Sequence, residues 1–147
     1  MVLKLEQDDT KRDIEILISY SKESIVIERI ISFINSIGSQ VECYFEGGMK
    51  LVNASDIYYI EVIDRKTIAF CENESYQIRN RLYQVLDRLR SCGFIQINKY
   101  CILNINKLVR IKTLYNSHIE AILSNGKYLN VTRNYLADIK RLLSEEK

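Results

Sequence analysis

The alternation of apolar and polar residues along the chain predicts a protein built mainly from short β-strands. Runs such as DIYYIEVID, KTIAFCE and HIEAILS place every second side chain on the same face, as in a half-buried strand. The sequence contains no proline, the residue that would exclude a central strand. The dipeptide Asn125-Gly126 separates two such runs, and it predicts a hairpin with a positive φ at both turn residues.

Three segments instead repeat apolar residues every three or four positions, which predicts amphipathic helices. The first, IVIERIISFINSIG, is expected to bury one stripe made of Val26, Ile30, Phe33, Ile34 and Ile37. The second, RLYQVLDRLRSC, and the last, YLADIKRLLSEE, are expected to be capped by Asn80 and Asn134. The two patterns together predict an α+β fold class that is mainly β.

Residues 1–47 are expected to form a small unit of their own. Two strand-like runs, VLKLE and DIEILISY, precede the first helix, and QVECYFEGG follows it as a third strand. This order predicts a β-β-α-β unit. A unit of that size would be marginal alone, so we expect it to pack on residues 48–147 or on a second copy of itself.

Charge is distributed unevenly between these two parts. Residues 1–47 hold five basic side chains against nine acidic ones, whereas residues 48–147 hold 16 against 10. A basic excess favours a polyanionic partner. An ordinary solvated surface would explain the same excess, so charge alone leaves both interpretations open.

Enzymatic motifs are scarce, and we expect no enzyme, no cofactor and no metal. The sequence has no G-x-G-x-x-G, no Walker loop and no G-x-S-x-G, and its single histidine, His118, has no partner at a motif spacing. The four cysteines are scattered without a C-x-x-C pair, which is typical of free thiols in a reducing cytoplasm. The chain shows no signal peptide and no run of 18 apolar residues, so we expect a cytoplasmic protein that is not embedded in a membrane.

The run GFIQINKYCILN raises a question about Lys99, because an unbroken strand would place this charge among buried residues. A break at residues 98–100 would put Lys99 at a turn instead. Basic and amide side chains also occur at turns near residues 65–66 and 133–134. Such side chains suit nucleic acid, since they pair with base edges and phosphates. The sequence alone does not place the three turns on one surface.

Four stretches in order, over about residues 48–147, resemble the LytTR family of bacterial DNA-binding domains. FIQINKYCILN is similar to the family pattern F-x-R-x-H-[KR]-S-[YF]-[IL]-V-N, and NGKYLNVTRNY is similar to N-G-x-x-[LI]-x-V-S-R-x-Y. The resemblance implies an elongated arrangement of short β-sheets with one intervening helix and a C-terminal helix. It also implies sequence-specific binding of double-stranded DNA, by loops inserted into successive major grooves without a helix-turn-helix.

The resemblance also implies roles for individual residues. Those expected to read bases are Lys66 (approximately, since hairpin lengths vary), Asn98, Lys99 and Arg133. Those expected to contact the DNA backbone are Arg65, Tyr100, Lys107 and Thr132. Asn98 replaces the histidine of the family pattern, and Tyr100 and Thr132 replace serines. Two orientations stay open for Tyr100, toward a phosphate and toward the core.

The resemblance extends to the kind of regulator. Residues 1–47 are too few for the receiver domain that many relatives carry, and they resemble the N-terminal extension of compact, stand-alone LytTR transcription regulators. This implies a homodimer, with residues 1–47 in dimerisation or docking, and a small membrane protein as a regulatory partner. Two other classes stay open, a protein-interaction module on the same fold (an adaptor or anti-regulator) and a single-stranded RNA binder that stacks bases on tyrosines.

Overall fold

The computed structural model describes residues 1–143, and in that range strands outnumber helices. The helices are α1 (Ile25–Gly38), α2 (Leu82–Leu89) and α3 (Arg133–Leu143). The strands are β1 (Gln40–Phe45), β2 (Gly48–Asn53), β3 (Tyr59–Ile63), β4 (Lys66–Phe70), β5 (Ser75–Ile78), β6 (Phe94–Asn98), β7 (Cys101–Asn104), β8 (Leu108–Thr113), β9 (Ile119–Leu123) and β10 (Tyr128–Val131). The predicted α+β, mainly β class is confirmed. The sequence predicts that the last helix extends to residue 146, and the final residues of that prediction lie outside the described range.

The strands form two antiparallel sheets. The larger has seven strands in the order β2-β1-β5-β4-β3-β7-β6, and the smaller has three in the order β10-β9-β8. Strands separate the three helices from one another within residues 1–143, so no two of these helices are joined by a short turn.

Two apolar cores lie on the large sheet. In the first, Leu86 and Leu89 of α2 pack with Ile60 and Ile102 of the central strands. In the second, residues of β6 and β7 pack with β9, β10 and Ile139 of α3. Each fully buried aliphatic side chain contributes roughly 1.5–3 kcal/mol, so these cores fix the sheets relative to one another.

The two strands predicted at the start of the chain were wrong. Residues 2–6 and 13–20 form no strand, and nearly all of their side chains are exposed. Alternation determines which face of a strand is apolar, but a strand also needs a neighbour to pair with. The third predicted strand, β1, does form. It pairs with β2 and with β5, and both of these strands lie after residue 47. The separate folding of residues 1–47 stays a prediction.

Helix α1 forms as predicted, but only part of its predicted apolar stripe lies against the protein. Ser24 caps it, since its Oγ accepts a hydrogen bond from the backbone N of Ile27. The fully buried residues are Ile27 and Ser36. Of the predicted inward stripe, Ile30 and Ile34 are partly buried, whereas Val26, Phe33 and Ile37 are 45–54% exposed. Polar contacts on the other side of the helix also hold it against the protein. These are the Asn35 Nδ2 hydrogen bond to the Ser91 backbone oxygen (3.1 Å) and a bidentate Glu28–Arg141 ion pair (3.0 and 3.2 Å).

The predicted caps and one turn type need correction. Helix α2 begins at Leu82, where the Arg81 backbone N donates to Gln84 Oε1, and α3 begins one residue before Asn134. The β9–β10 hairpin is confirmed, but only Gly126 in its turn has a positive φ (86°). Gly126 N donates to Leu123 O, which is the pattern of a three-residue loop ending in a left-handed glycine.

Candidate nucleic-acid interface

The first two turns that the sequence singled out lie at the same end of the large sheet. Strands β3 and β7 are antiparallel neighbours, with Glu61 opposite Cys101. The β3–β4 turn and the β6–β7 turn therefore project in the same direction. The backbone N of Val62 donates to the backbone oxygen of Tyr100 at 2.8 Å, which extends the ladder to the second turn itself.

The third turn, between β10 and α3, is hydrogen-bonded to the second. The backbone N of Thr132 donates to the Ile97 backbone oxygen at 2.9 Å. One residue further along β6, the amide nitrogen of Asn98 donates to the Asn130 backbone oxygen at 2.8 Å. These two bonds join the large sheet to the small one at the end where all three turns meet.

We call this end of the protein the turn surface. It consists of Arg65, Lys66, Asn98, Lys99, Tyr100, Thr132 and Arg133. Seven of the eight residues that the resemblance singled out are thus brought together.

The side chain of Asn98 also shapes the turn that follows it. Its Oδ1 accepts a hydrogen bond from the backbone N of Tyr100 at 2.8 Å. An asparagine amide carries two N–H donors and an oxygen with two lone pairs. Asn98 therefore keeps one donor and one acceptor after both internal hydrogen bonds are made. Sequence reasoning missed its structural role, because the partner Asn130 lies 32 residues away.

The predicted break in the run GFIQINKYCILN is confirmed. Strand β6 ends at Asn98 and β7 begins at Cys101. The turn between them consists of Lys99 and Tyr100. Lys99 is exposed, so the buried charge that an unbroken strand would create does not arise. Tyr100 is 53% exposed and its ring lies 5.5 Å from the Lys99 ammonium. Tyr100 therefore faces outward and not into the core.

The β3–β4 turn holds its basic side chain in an unusual backbone conformation. Asp64 and Arg65 have φ values of 50° and 66°, the left-handed region that non-glycine residues seldom adopt. This matches a tight two-residue hairpin, in which Ile63 pairs with Lys66. The side chains of Arg65 and Lys66 are exposed at the tip.

The basic groups of the turn surface have no anionic partner among the described residues. The ion pairs within residues 1–143 are Lys11–Glu15 and Glu28–Arg141, both away from the turns. An unpaired, exposed cation can bind an external anion, and the free-energy cost of removing its water is small.

Lys107 lies at the opposite end of the large sheet from the turn surface. Its ammonium stands 4.7 Å from the centre of the Tyr58 ring, next to the start of β3. It lines a cavity together with Asp56, Glu72 and Glu74. The turn surface is thus rich in basic groups, while Lys107 sits among carboxylates.

The cysteines offer no reactive site on this surface. Burial raises the pKa of Cys43 and Cys71 to about 11, and it also raises the pKa of Cys101. These thiols are protonated at neutral pH and therefore poor nucleophiles. Within residues 1–143 no group of three or more histidine, cysteine, aspartate or glutamate residues could hold a metal ion. No helix in that range is long and apolar enough to cross a membrane.

Comparison with known proteins points to one family. Residues 47–144 match the LytTr DNA-binding domain family. A stretch of 98 residues is 30% identical to the sensory transduction protein LytT of Bacillus anthracis, covering 67% of this chain and 40% of that protein. An uncharacterized HTH-type transcriptional regulator of Staphylococcus aureus is 27% identical over 120 residues, 80% of this chain and 81% of the relative. The solved LytTr DNA-binding domain of a Bacillus cereus response regulator has the same fold, with a TM-score of 0.66 at 24% identity over 73% of this chain and 98% of that one.

Proposed function

The chain belongs to the LytTr DNA-binding domain family, and from that premise we propose that it is a sequence-specific transcription regulator that binds duplex DNA. The observation that carries the proposal is the turn surface, where three turns bring unpaired cations together at one end of the large sheet. Basic side chains that meet phosphates release condensed counterions, which supplies the sequence-independent part of the affinity. The mechanism is binding and involves no catalytic step.

Each turn supplies groups suited to a base edge or to a phosphate. Lys66, Lys99 and Arg133 carry the donors that guanine O6 and N7 accept, so we assign base reading to them. Asn98 keeps one amide donor and one acceptor, the pair that adenine N7 and N6 require. The exposed Arg65, Tyr100 and Thr132 are assigned to phosphates on either side. We leave Lys107 out, since it lies at the other end of the sheet.

These assignments predict two classes of variant. Lys99→Ala and Arg133→Ala should each lose about 1–3 kcal/mol of binding to the cognate duplex and relax preference at one position. Arg65→Ala should weaken binding to all sequences alike. The duplex is first selected with the wild-type chain from a random pool, and binding is then titrated by fluorescence anisotropy.

Lys127→Ala is the matched control, because Lys127 is an exposed lysine in the β9–β10 turn at the far end of the small sheet. If Lys99→Ala and Arg133→Ala bound the cognate duplex as strongly as the wild type, the turn surface would not be the DNA-binding surface. Equal losses in Lys127→Ala would show that only total charge matters.

A protein partner is the second candidate, favoured by the exposed apolar stripe of α1. Duplex binding through phosphates should fall steeply between about 50 and 200 mM salt, whereas an apolar protein interface should hardly respond. A chain that bound no duplex at low salt but retained a salt-insensitive partner would be an interaction module on the same fold.

We further propose that the protein is a homodimer and that α1 supplies the interface. Val26, Phe33 and Ile37 point within a narrow arc of the helix, since successive residues turn by about 100°. Burying these half-exposed side chains against a second copy would remove apolar surface from water. Sedimentation should show that Phe33→Ser with Ile37→Ser dissociates the dimer, while Ile31→Ser does not. Ile31 is a fair control because it is 45% exposed on the opposite side of α1.

We also propose a cytoplasmic location and control by a small membrane protein that docks on the same stripe in place of the second copy. In cell fractionation, the wild-type chain should then be recovered partly with the membranes, and the Phe33→Ser, Ile37→Ser chain should not. Recovery of both chains in the soluble fraction alone would end this part of the proposal.

A further inference from the structure

We propose that the hairpin joining β8 to β9 makes a fourth contact with the duplex, through Lys112 and Tyr115. This inference rests on the proposed function and enlarges its surface. Both residues lie between the two motifs that resemble the family, and no pattern in the sequence singles them out.

The register of the small sheet places this hairpin beside the turn surface. Ile119 of β9 lies opposite Val131 of β10 on one side and opposite Thr113 of β8 on the other. Val131 directly precedes Thr132, whose backbone N is bonded to β6. The loop of residues 114–118 therefore projects from the same end of the sheet as the β10–α3 turn. It starts about two strand spacings, or roughly 10 Å, away.

The loop presents its tip in a fixed conformation. The backbone N of Leu114 donates to His118 O at 2.7 Å, and Ser117 N donates to Leu114 O at 3.0 Å. Ser117 adopts the left-handed conformation that closes such a loop, with φ of 67°. Tyr115 is fully exposed at the tip, and its side chain packs against nothing within residues 1–143. A phenol held in this way can donate its hydroxyl to a phosphate oxygen.

Lys112 continues the turn surface across the small sheet. It lies opposite Glu120, which in turn lies opposite Asn130. The backbone oxygen of Asn130 is the acceptor for Asn98, so this row of side chains leads directly to the second turn. Lys112 is exposed, and it forms no ion pair with Glu120 in the described part of the chain.

The row also contains one side chain whose negative charge should repel the phosphates of DNA. Glu120 is partly exposed between Lys112 and Asn130. If a phosphate chain runs over this row, removing the carboxylate should strengthen binding while removing the ammonium should weaken it. Opposite effects from two neighbouring residues are difficult to produce by general disturbance of the fold.

The test uses full-length chains and the duplex selected from a random pool with the wild-type protein. Lys112→Ala should weaken binding by about 2- to 5-fold at low salt, alike for cognate and unrelated duplexes. The slope of log affinity against log salt should become shallower by about 0.9, as expected for one lost phosphate contact. Tyr115→Phe should weaken binding without changing that slope, and Glu120→Gln should strengthen binding. Lys127→Ala should leave both affinity and slope unchanged, and thermal unfolding should confirm that every variant folds.

The outcomes separate this inference from the function on which it rests. Failure of the wild-type chain to bind any duplex would overturn the proposed function and the hairpin contact together. Wild-type binding with an unchanged affinity and salt slope in Lys112→Ala would overturn the hairpin contact alone. Weakening by Lys127→Ala equal to that by Lys112→Ala would also overturn it, since the effect would then not depend on position.

Discussion

Replacing Asn98 by alanine tests whether its side chain joins the second and third turns. The substitution removes the hydrogen bonds to the Asn130 backbone oxygen and from the Tyr100 backbone N, both 2.8 Å long. A typical intramolecular hydrogen bond contributes about 0.5–1.5 kcal/mol net. The Asn130 oxygen and the Tyr100 N lie near the surface and can form hydrogen bonds with water instead. We therefore expect a loss of about 1–2 kcal/mol in the free energy of unfolding. For a chain of this size that corresponds to a fall of roughly 3–6 °C in Tm.

The measurement is urea unfolding followed by far-UV circular dichroism, at one protein concentration because a dimer would make stability concentration-dependent. Asn130→Ala is the matched control. It removes an exposed asparagine side chain but leaves the backbone oxygen that accepts from Asn98. Asn130→Ala should therefore unfold like the wild type. An Asn98→Ala chain within about 0.3 kcal/mol of wild type would refute the reasoning, and so would an equal loss in Asn130→Ala.

Two further predictions follow from the backbone and from burial. Arg65→Gly should stabilise the fold by about 0.5–1 kcal/mol, because glycine relieves the left-handed conformation at φ of 66°. It should also weaken duplex binding alike for all sequences, and an unfolding midpoint equal to wild type would contradict the strain argument. Burial raises the pKa of Glu61, so the folded state binds the proton of this carboxyl group more tightly than the unfolded state does. The free energy of unfolding should therefore fall as pH rises through that pKa. Glu61→Gln should remove this decline, so its Tm should be higher than that of the wild type near pH 7 and similar near pH 3. Tm profiles of the two chains that run parallel across this pH range would contradict the prediction.

Much of the sheet structure could be predicted because the strands concerned have one buried face. The alternating burial of β5 and β10 follows the alternation of their sequences. The break before Cys101 could be predicted for a related reason, since an unbroken strand would have buried the ammonium of Lys99. In each case a local pattern was sufficient because the cost of burying charge is local.

The errors concern partners that a local pattern does not specify. Residues 13–20 have a strand-like alternation but lack a neighbouring strand within the described chain. Helix α1 carries apolar residues on more than one side, so its amphipathic stripe did not determine which side packs on the protein. The Asp64-Arg65 turn adopts positive φ without glycine, because the pairing of β3 with β4 determines its geometry.

The candidate site was predicted as a set of residues but not as an assembly. Lys66, Asn98, Lys99 and Arg133 were identified by resemblance, and nothing in their spacing shows that three turns meet. That depends on the antiparallel pairing of β3 with β7 and on the hydrogen bonds between β6 and β10. The resemblance groups Lys107 with them, yet the three-residue 3-10 turn that carries it lies at the other end of β7.

The position of β1 limits how this module can be transplanted. The family match begins at residue 47, just after β1 ends at Phe45, although β1 lies between β2 and β5 inside the large sheet. A graft of the matched segment alone would leave β5 with an open edge and would remove Val41 and Cys43 from the first core. The smallest portable unit is therefore expected to begin no later than Gln40. A fusion that begins at residue 47 should expose an unpaired, aggregation-prone strand.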